Sequence, residues 1–203
     1  MVENVINRYD AFIFELDNVL YPEKDYLLQV YYLFSQFMEY TVQINAAEML
    51  TFMKAEYEAH GADAIFDKTK AHFFLEEQYR VNFNLLNSNA KLPLKLLLFP
   101  EVALFLKNIT EKGKKIFLLT TGNPEKQLNK VRQIEWEGLA EQIKVYFADE
   151  IAQISSLKPL NFLSQEHDLQ PDKVLYIGKD IADENMAAAA GVNFLKTEEL
   201  SLT

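Results

Sequence analysis

Two carboxylates stand two residues apart, Glu15 and Asp17, at the end of a short apolar run, residues 11–16 (AFIFEL). The run is rich in β-formers and reads as a buried strand ending in an acidic turn. Residues i and i+2 of an extended segment project to the same side, so both acids can face one group. Such a pair is suited to acid–base or nucleophilic chemistry. Polar residues end other apolar runs in the same way: Thr120-Thr121-Gly122-Asn123 after residues 115–119, and Gly178-Lys179-Asp180 with Asp183 after residues 173–177. Lys158 precedes Pro159 at the start of a helical stretch. With no cysteine, disulfides, thiolate catalysis and Cys-ligated zinc are excluded. His60, His72 and His167 lie far apart and form no HxxxH-type pair, which disfavours a histidine-based metal site.

The elements that must position these residues alternate. Strands are expected over 11–16, 115–119, 145–148, 173–177 and 192–195, and helices after Phe99-Pro100, from Pro124, over 159–167 and over 182–190. Strands alternating with helices imply an α/β fold with a doubly wound, parallel, Rossmann-like sheet. In open sheets of this kind ligands bind beyond the carboxyl ends of the strands, where the polar residues above fall. From about residue 25 to 80 the pattern is purely helical. Leu27, Tyr31, Phe34, Phe37 and Met38 recur at helical spacing, then Met49, Leu50, Met53 and Tyr57, then Ile65, Phe66, Phe73 and Phe74, with His60-Gly61 a natural stop. Residues 22–93 are therefore expected to form an inserted all-helical cap subdomain, and residues 1–21 with 94–203 the α/β core.

The chain of 203 residues is 49% hydrophobic, enough for a real core. Acids outnumber bases 30 to 20, which disfavours nucleic acid as a partner. The N-terminus MVENVINRYD lacks a basic region followed by an apolar run, and no stretch reaches the roughly 18 apolar residues of a membrane span. A soluble cytoplasmic protein, with no membrane partner, is expected.

Four segments together resemble the haloacid dehalogenase superfamily. FIFELDNVLYP is similar to its first motif, an apolar strand followed by DxDxT or DxDxV; LLTTGN to its second; Lys158-Pro159 to its third; and LYIGKDIADENMAAAAG to its fourth, GDxxxD before a helix. All four fall in the family's order, and the helical insert resembles a C1-type cap. The DNxLYP continuation looks most like the nucleotidase-like and sugar-phosphatase-like branch. The resemblance implies aspartyl phosphate chemistry on a phosphorylated small molecule. One carboxylate attacks phosphorus, and a second protonates the leaving group and then activates water. It implies Asp17 as general acid/base, Thr120 and Lys158 as catalytic groups on the phosphoryl oxygens, and Thr121, Gly122, Asn123 and Lys179 beside the substrate. It also implies Mg2+, held by residue 15, Asp17 and the fourth-motif acids.

Two positions depart from the pattern. Glu15 stands where the family has its Asp nucleophile, and Lys179 where it has the first acid of GDxxxD. Productive attack needs reacting atoms about 3–3.5 Å apart, and one added methylene exceeds that tolerance unless the backbone retreats. An ammonium cannot ligate magnesium and repels it. Three arrangements are open at this stage. Lys179 sits in the metal's place between Glu15 and Asp183; or Glu15 and Lys179 form a buried ion pair; or the loop shifts by one, so that Asp180 replaces the missing acid and Asp180 to Glu184 keeps the spacing.

Plainer readings apply elsewhere. The cap aromatics Tyr31, Tyr32, Phe34, Phe37, Phe73 and Phe74 are expected in the cap core, and Tyr79 and Arg80 at a solvated helix end. The expected function is a hydrolase-like protein of the small-molecule phosphatase lineage, with impaired or no turnover and a retained phosphate-recognition site. The alternatives are an active phosphomonoester hydrolase using Glu15 and Asp17, and a non-catalytic binding protein acting through its cap. A metal-free dehalogenase fits less well, since that branch keeps an Asp nucleophile.

Overall fold

The computed structural model describes residues 2–202. The chain divides into two compact units. The first runs through Pro22, then Leu97–Gln127, and from Ile134 onward; the second comprises Glu23–Leu96 and Leu128–Gln133.

The first unit is built on five strands, β1 (Ala11–Phe14), β2 (Lys115–Thr120), β3 (Ile143–Phe147), β4 (Val174–Gly178) and β5 (Asn193–Lys196). They lie in the order β3-β2-β1-β4-β5, and every pairing is parallel. Period-two alternation sends Ala11 and Ile13 to one face, where they join Phe117, Leu119, Leu160, Leu163, Val174 and Tyr176 in a buried cluster. Phe12 and Phe14 point to the other face and meet Phe105, on the helix Pro100–Glu111, edge to ring. Both faces are thus covered, as a parallel sheet requires. The chain winds outward from β1 through β2 to β3, then returns to β4 on β1's other side. The crevice at the switch therefore opens beyond the carboxyl ends of β1 and β4, and residues 15–17 and 179–183 stand there.

The second unit contains helices Glu23–Val42, Ala46–His60, Ile65–Phe73 and Tyr79–Asn89. Phe34 is at its centre, with Phe66 and Phe83 against it. The expected stop at His60-Gly61 is where the second helix ends, with Gly61 at φ 76°. The fourth helix starts at Tyr79, at the helix end expected there, and carries the helical pattern on to Asn89. Phe74 is a correction. It lies outside the core, 92% exposed, in a left-handed conformation that ends the third helix. Tyr32 is also exposed, at 42%.

The compact helical unit also includes residues well outside the expected 22–93 segment. The helix Pro124–Gln133 begins in the α/β unit, but its last six residues belong with the helical one. The reason is polar. Asn129 and Gln133 donate to the Ala90 carbonyl at 3.0 and 2.6 Å, the Leu92 amide donates to Gln133 Oε1, and Lys130 reaches Glu23 (3.6 Å) over the ring of Tyr26. Lys130 is 1% exposed, and a buried ammonium persists only when paired in this way.

Candidate active site

The β1 strand ends at Phe14, and the Glu15 amide still donates to the Ile177 carbonyl of β4, so residue 15 enters the crevice from a fixed backbone. Its side chain is 5% exposed. Glu15 Oε1 accepts from the Thr120 hydroxyl at 3.0 Å, and Oε2 is buried without a partner. Burial pushes the Glu15 carboxyl up to about 7. Hydrogen bonds from the Leu16 amide and Thr120 oppose the rise, and the charges of Asp183 and Asp17 add to it. Leaving a carboxylate oxygen buried and unbonded is costly, which is why the protonated form is favoured.

Asp17 is held differently. The turn after it passes through Asn18 at φ 59°, closed by the Asn18 amide on the Tyr21 carbonyl at 3.0 Å. This brings the Tyr21 hydroxyl onto Asp17 Oδ1 at 2.8 Å. The other oxygen, Oδ2, accepts from Gln127 Nε2 at 3.1 Å. The same nitrogen lies 2.9 Å from Thr120 Oγ1 and 2.8 Å from the Thr121 carbonyl. Thr120 is 0% exposed and bridges Gln127 and Glu15.

Beyond β4 the loop is tied to its own acids. Asp180 caps the helix Ile181–Ala190, accepting from the Ala182 and Asp183 amides at 2.9 and 3.2 Å. Asp183 reaches back to the Lys179 amide at 2.8 Å through Oδ2, while its Oδ1 accepts from the Tyr176 hydroxyl at 3.2 Å. Burial holds the Tyr176 hydroxyl well above its ordinary value, and the charges of Glu15 and Asp183 add to this, so the phenol stays a donor. Gly178 permits the arrangement: a Cβ there would stand 2.6 Å from Asp183 Cβ.

Glu15, Thr121, Lys179, Asp180, Ala182, Asp183 and Met186 line a cavity of ≈ 280 Å³. The predicted residues are therefore not all gathered. Lys158 is exposed at the N-terminus of the helix Pro159–Glu166, and its ammonium bonds no described residue. Asn123 caps the next helix by accepting from the Lys126 amide, and the Gly122 amide points to Asp149. Tyr21, Gln127 and Tyr176 were not foreseen. Tyr176 passes in the sequence for a strand residue of the core, and Gln127 for one polar residue among many on a polar helix.

The three arrangements considered for Lys179 are all corrected. Its side chain is exposed and makes no ion pair among the described residues, so it neither pairs with Glu15 nor stands between Glu15 and Asp183. The loop is not shifted: Asp183 is buried, Glu184 is exposed, and Asp180 is spent as a cap. The residues do not fit a magnesium site. Asp183 has both oxygens engaged by protein donors, Asp180 has Oδ1 on two amides, and Glu15 offers one free oxygen. Among the described residues no three His, Asp or Glu side chains are gathered as metal ligands.

No curated protein matches the chain. Solved structures match it over almost its whole length. A protein from Thermotoga maritima assigned as a β-phosphoglucomutase is 16% identical, with a TM-score of 0.57 over 94% of this chain and 96% of that one. A haloacid dehalogenase family hydrolase from Deinococcus radiodurans R1, with bound phosphate and sodium, is 16% identical, with a TM-score of 0.55 over 93% and 80%. A dehalogenase solved with an intermediate complex is 15% identical, with a TM-score of 0.54 over 93% and 84%. These likenesses establish the fold, not a substrate. The haloacid dehalogenase-like hydrolase family model matches residues 12–197, from β1 past β5. With that match, and with the motif positions at the ends of β1, β2 and β4, the chain belongs to the haloacid dehalogenase-like hydrolase family.

Proposed function

We propose that this protein is a member of the small-molecule phosphatase lineage that recognises a phosphorylated small molecule without efficient turnover and without magnesium. The observation that carries the reading is the commitment of Asp183 and Asp180 to protein donors beside a cavity that contains Lys179. The cavity offers a phosphate the Lys179 ammonium and the Thr121 hydroxyl. Glu15, carried up to about 7 by burial, opposes an anion at neutral pH with less than a full charge. As a nucleophile it is handicapped twice: its reach differs from that of Asp, and Thr120 and burial hold one of its oxygens.

A second reading, an active phosphomonoester hydrolase, is favoured by Asp17, which Tyr21 and Gln127 hold as an acid/base group would be held. One assay separates the two. The wild type is incubated with a panel of phosphomonoesters, with and without magnesium, and the binding of inorganic phosphate is measured by calorimetry. The proposal expects phosphate binding without turnover, and magnesium-dependent turnover in the double variant Glu15→Asp, Lys179→Asp. Wild-type turnover abolished by Asp17→Asn would establish the enzyme instead.

A further inference from the structure

Gln127 is 4% exposed on a helix whose Glu125 is exposed and whose Lys126 is half-buried. Its carboxamide nitrogen faces three oxygens: Asp17 Oδ2, Thr120 Oγ1 and the Thr121 carbonyl, at 3.1, 2.9 and 2.8 Å. The carboxylate and the carbonyl can only accept. The amide must therefore present its N–H groups here, and the flipped orientation, oxygen against oxygens, is excluded by chemistry. A threonine hydroxyl has one hydrogen. If Gln127 donates to Thr120 Oγ1, that hydrogen is left for Glu15 Oε1, 3.0 Å away. The hydrogen bonds thus run one way, from Gln127 to Thr120 to Glu15 Oε1, and leave Glu15 Oε2 as the oxygen of that carboxyl without a partner.

We propose that Gln127 is the positioning residue of the site: it sets the direction of the Thr120 hydroxyl, and through it the face that Glu15 turns to the cavity, while holding Asp17 with Tyr21. The effect on ligand binding rests on the phosphate-recognition reading above; the direction of the hydroxyl does not. Asn123 and Pro124 support the geometry, since they start the helix that carries Gln127, and the Gln127 amide closes its first turn on the Asn123 carbonyl at 3.0 Å.

The test is nuclear magnetic resonance of the Thr120 hydroxyl proton in protein carrying carbon-13 in its glutamate side chains, with inorganic phosphate as the ligand in parallel calorimetry. In the wild type the hydroxyl proton is expected to be slow to exchange and correlated with the Glu15 carboxyl carbon. Gln127→Glu replaces the donor by a stronger acceptor, so the hydroxyl turns toward it and the correlation with Glu15 disappears. Gln127→Met, close in size but with no donor, removes the bond that directs the hydroxyl, and the correlation is lost or broadened. Phosphate dissociation constants rise about tenfold in either variant, the worth of about one net hydrogen bond. A folded variant, judged by its amide spectrum, that keeps the wild-type hydroxyl correlation overturns the proposal. If the wild type binds no phosphate, the phosphate reading fails, and the hydroxyl correlation still decides the role of Gln127.

Discussion

Glu15→Gln tests whether burial governs the chemistry of the site. The folded protein holds the Glu15 proton up to about pH 7, against an ordinary value of 4.5. The sign follows from that order. Below pH 4.5 the carboxyl is protonated in both the folded and unfolded chain, and the stabilisation of its neutral form is fully present. Between 4.5 and about 7 the unfolded chain releases the proton while the folded one keeps it, so stability falls as pH rises. Each pKa unit is worth about 1.36 kcal/mol, so the group takes away about 3 kcal/mol by pH 8. Glutamine keeps an acceptor for Thr120, places a donor at the bare Oε2 and does not titrate in this range. Urea unfolding of both proteins at pH 4 and pH 8 isolates the effect, because every other titrating group is common to them. The stability difference, variant minus wild type, is expected to rise by about 3 kcal/mol from the acid to the alkaline condition, in the variant's favour at pH 8. Parallel pH profiles, within about 0.5 kcal/mol, would refute the claim that burial dominates at Glu15.

Further outcomes follow from the same geometry. Tyr176→Phe removes the donor to Asp183 Oδ1 and should cost about 1–3 kcal/mol by chemical denaturation, as expected for a buried acceptor left unpaired. Gly178→Ala places a methyl group 2.6 Å from Asp183 Cβ and should cost about 1–3 kcal/mol while releasing the Lys179 amide to hydrogen exchange. Asp180→Ala removes both cap bonds and should cost about 1 kcal/mol. Magnesium chloride should leave the melting temperature of the wild type unchanged, and a clear rise on its addition would show that the loop acids are free to ligate.

The sheet was legible because a parallel strand is written in a few consecutive residues. Phe12, Ile13 and Phe14, and Leu118 with Leu119, are apolar on both faces and are followed at once by polar residues. The departures at Glu15 and Lys179 were legible for the same reason, as single letters at fixed positions. What was hidden depends on which neighbour a residue finds across the fold. Gln127 and Lys130 lie three apart on one helix face that is polar in composition yet buried, and hydrophobic periodicity is silent about a buried polar face. Phe74 failed in the opposite sense. Its apolar side chain suggested a core position, but the backbone turns left-handed there and carries it into solvent. The loop after β4 was misjudged because charge alone was weighed. Asp180 has a stronger local use, as the N-cap just before a helix, with an acid three positions on.

That capping box has a wider meaning. Two carboxylates within four residues of each other supply the order of the loop, together with the amides they bind and one phenol from the neighbouring strand. Where a loop is ordered by a bound ion, its shape is a function of concentration: it tightens as the ion is supplied and loosens as it is withdrawn. Here the equivalent organising groups are part of the chain, at an effective concentration set by the backbone alone. The loop beyond β4 should therefore keep one shape across changes in cellular ion levels or in the presence of a chelator, with Lys179 presented on a surface that nothing in solution has to assemble.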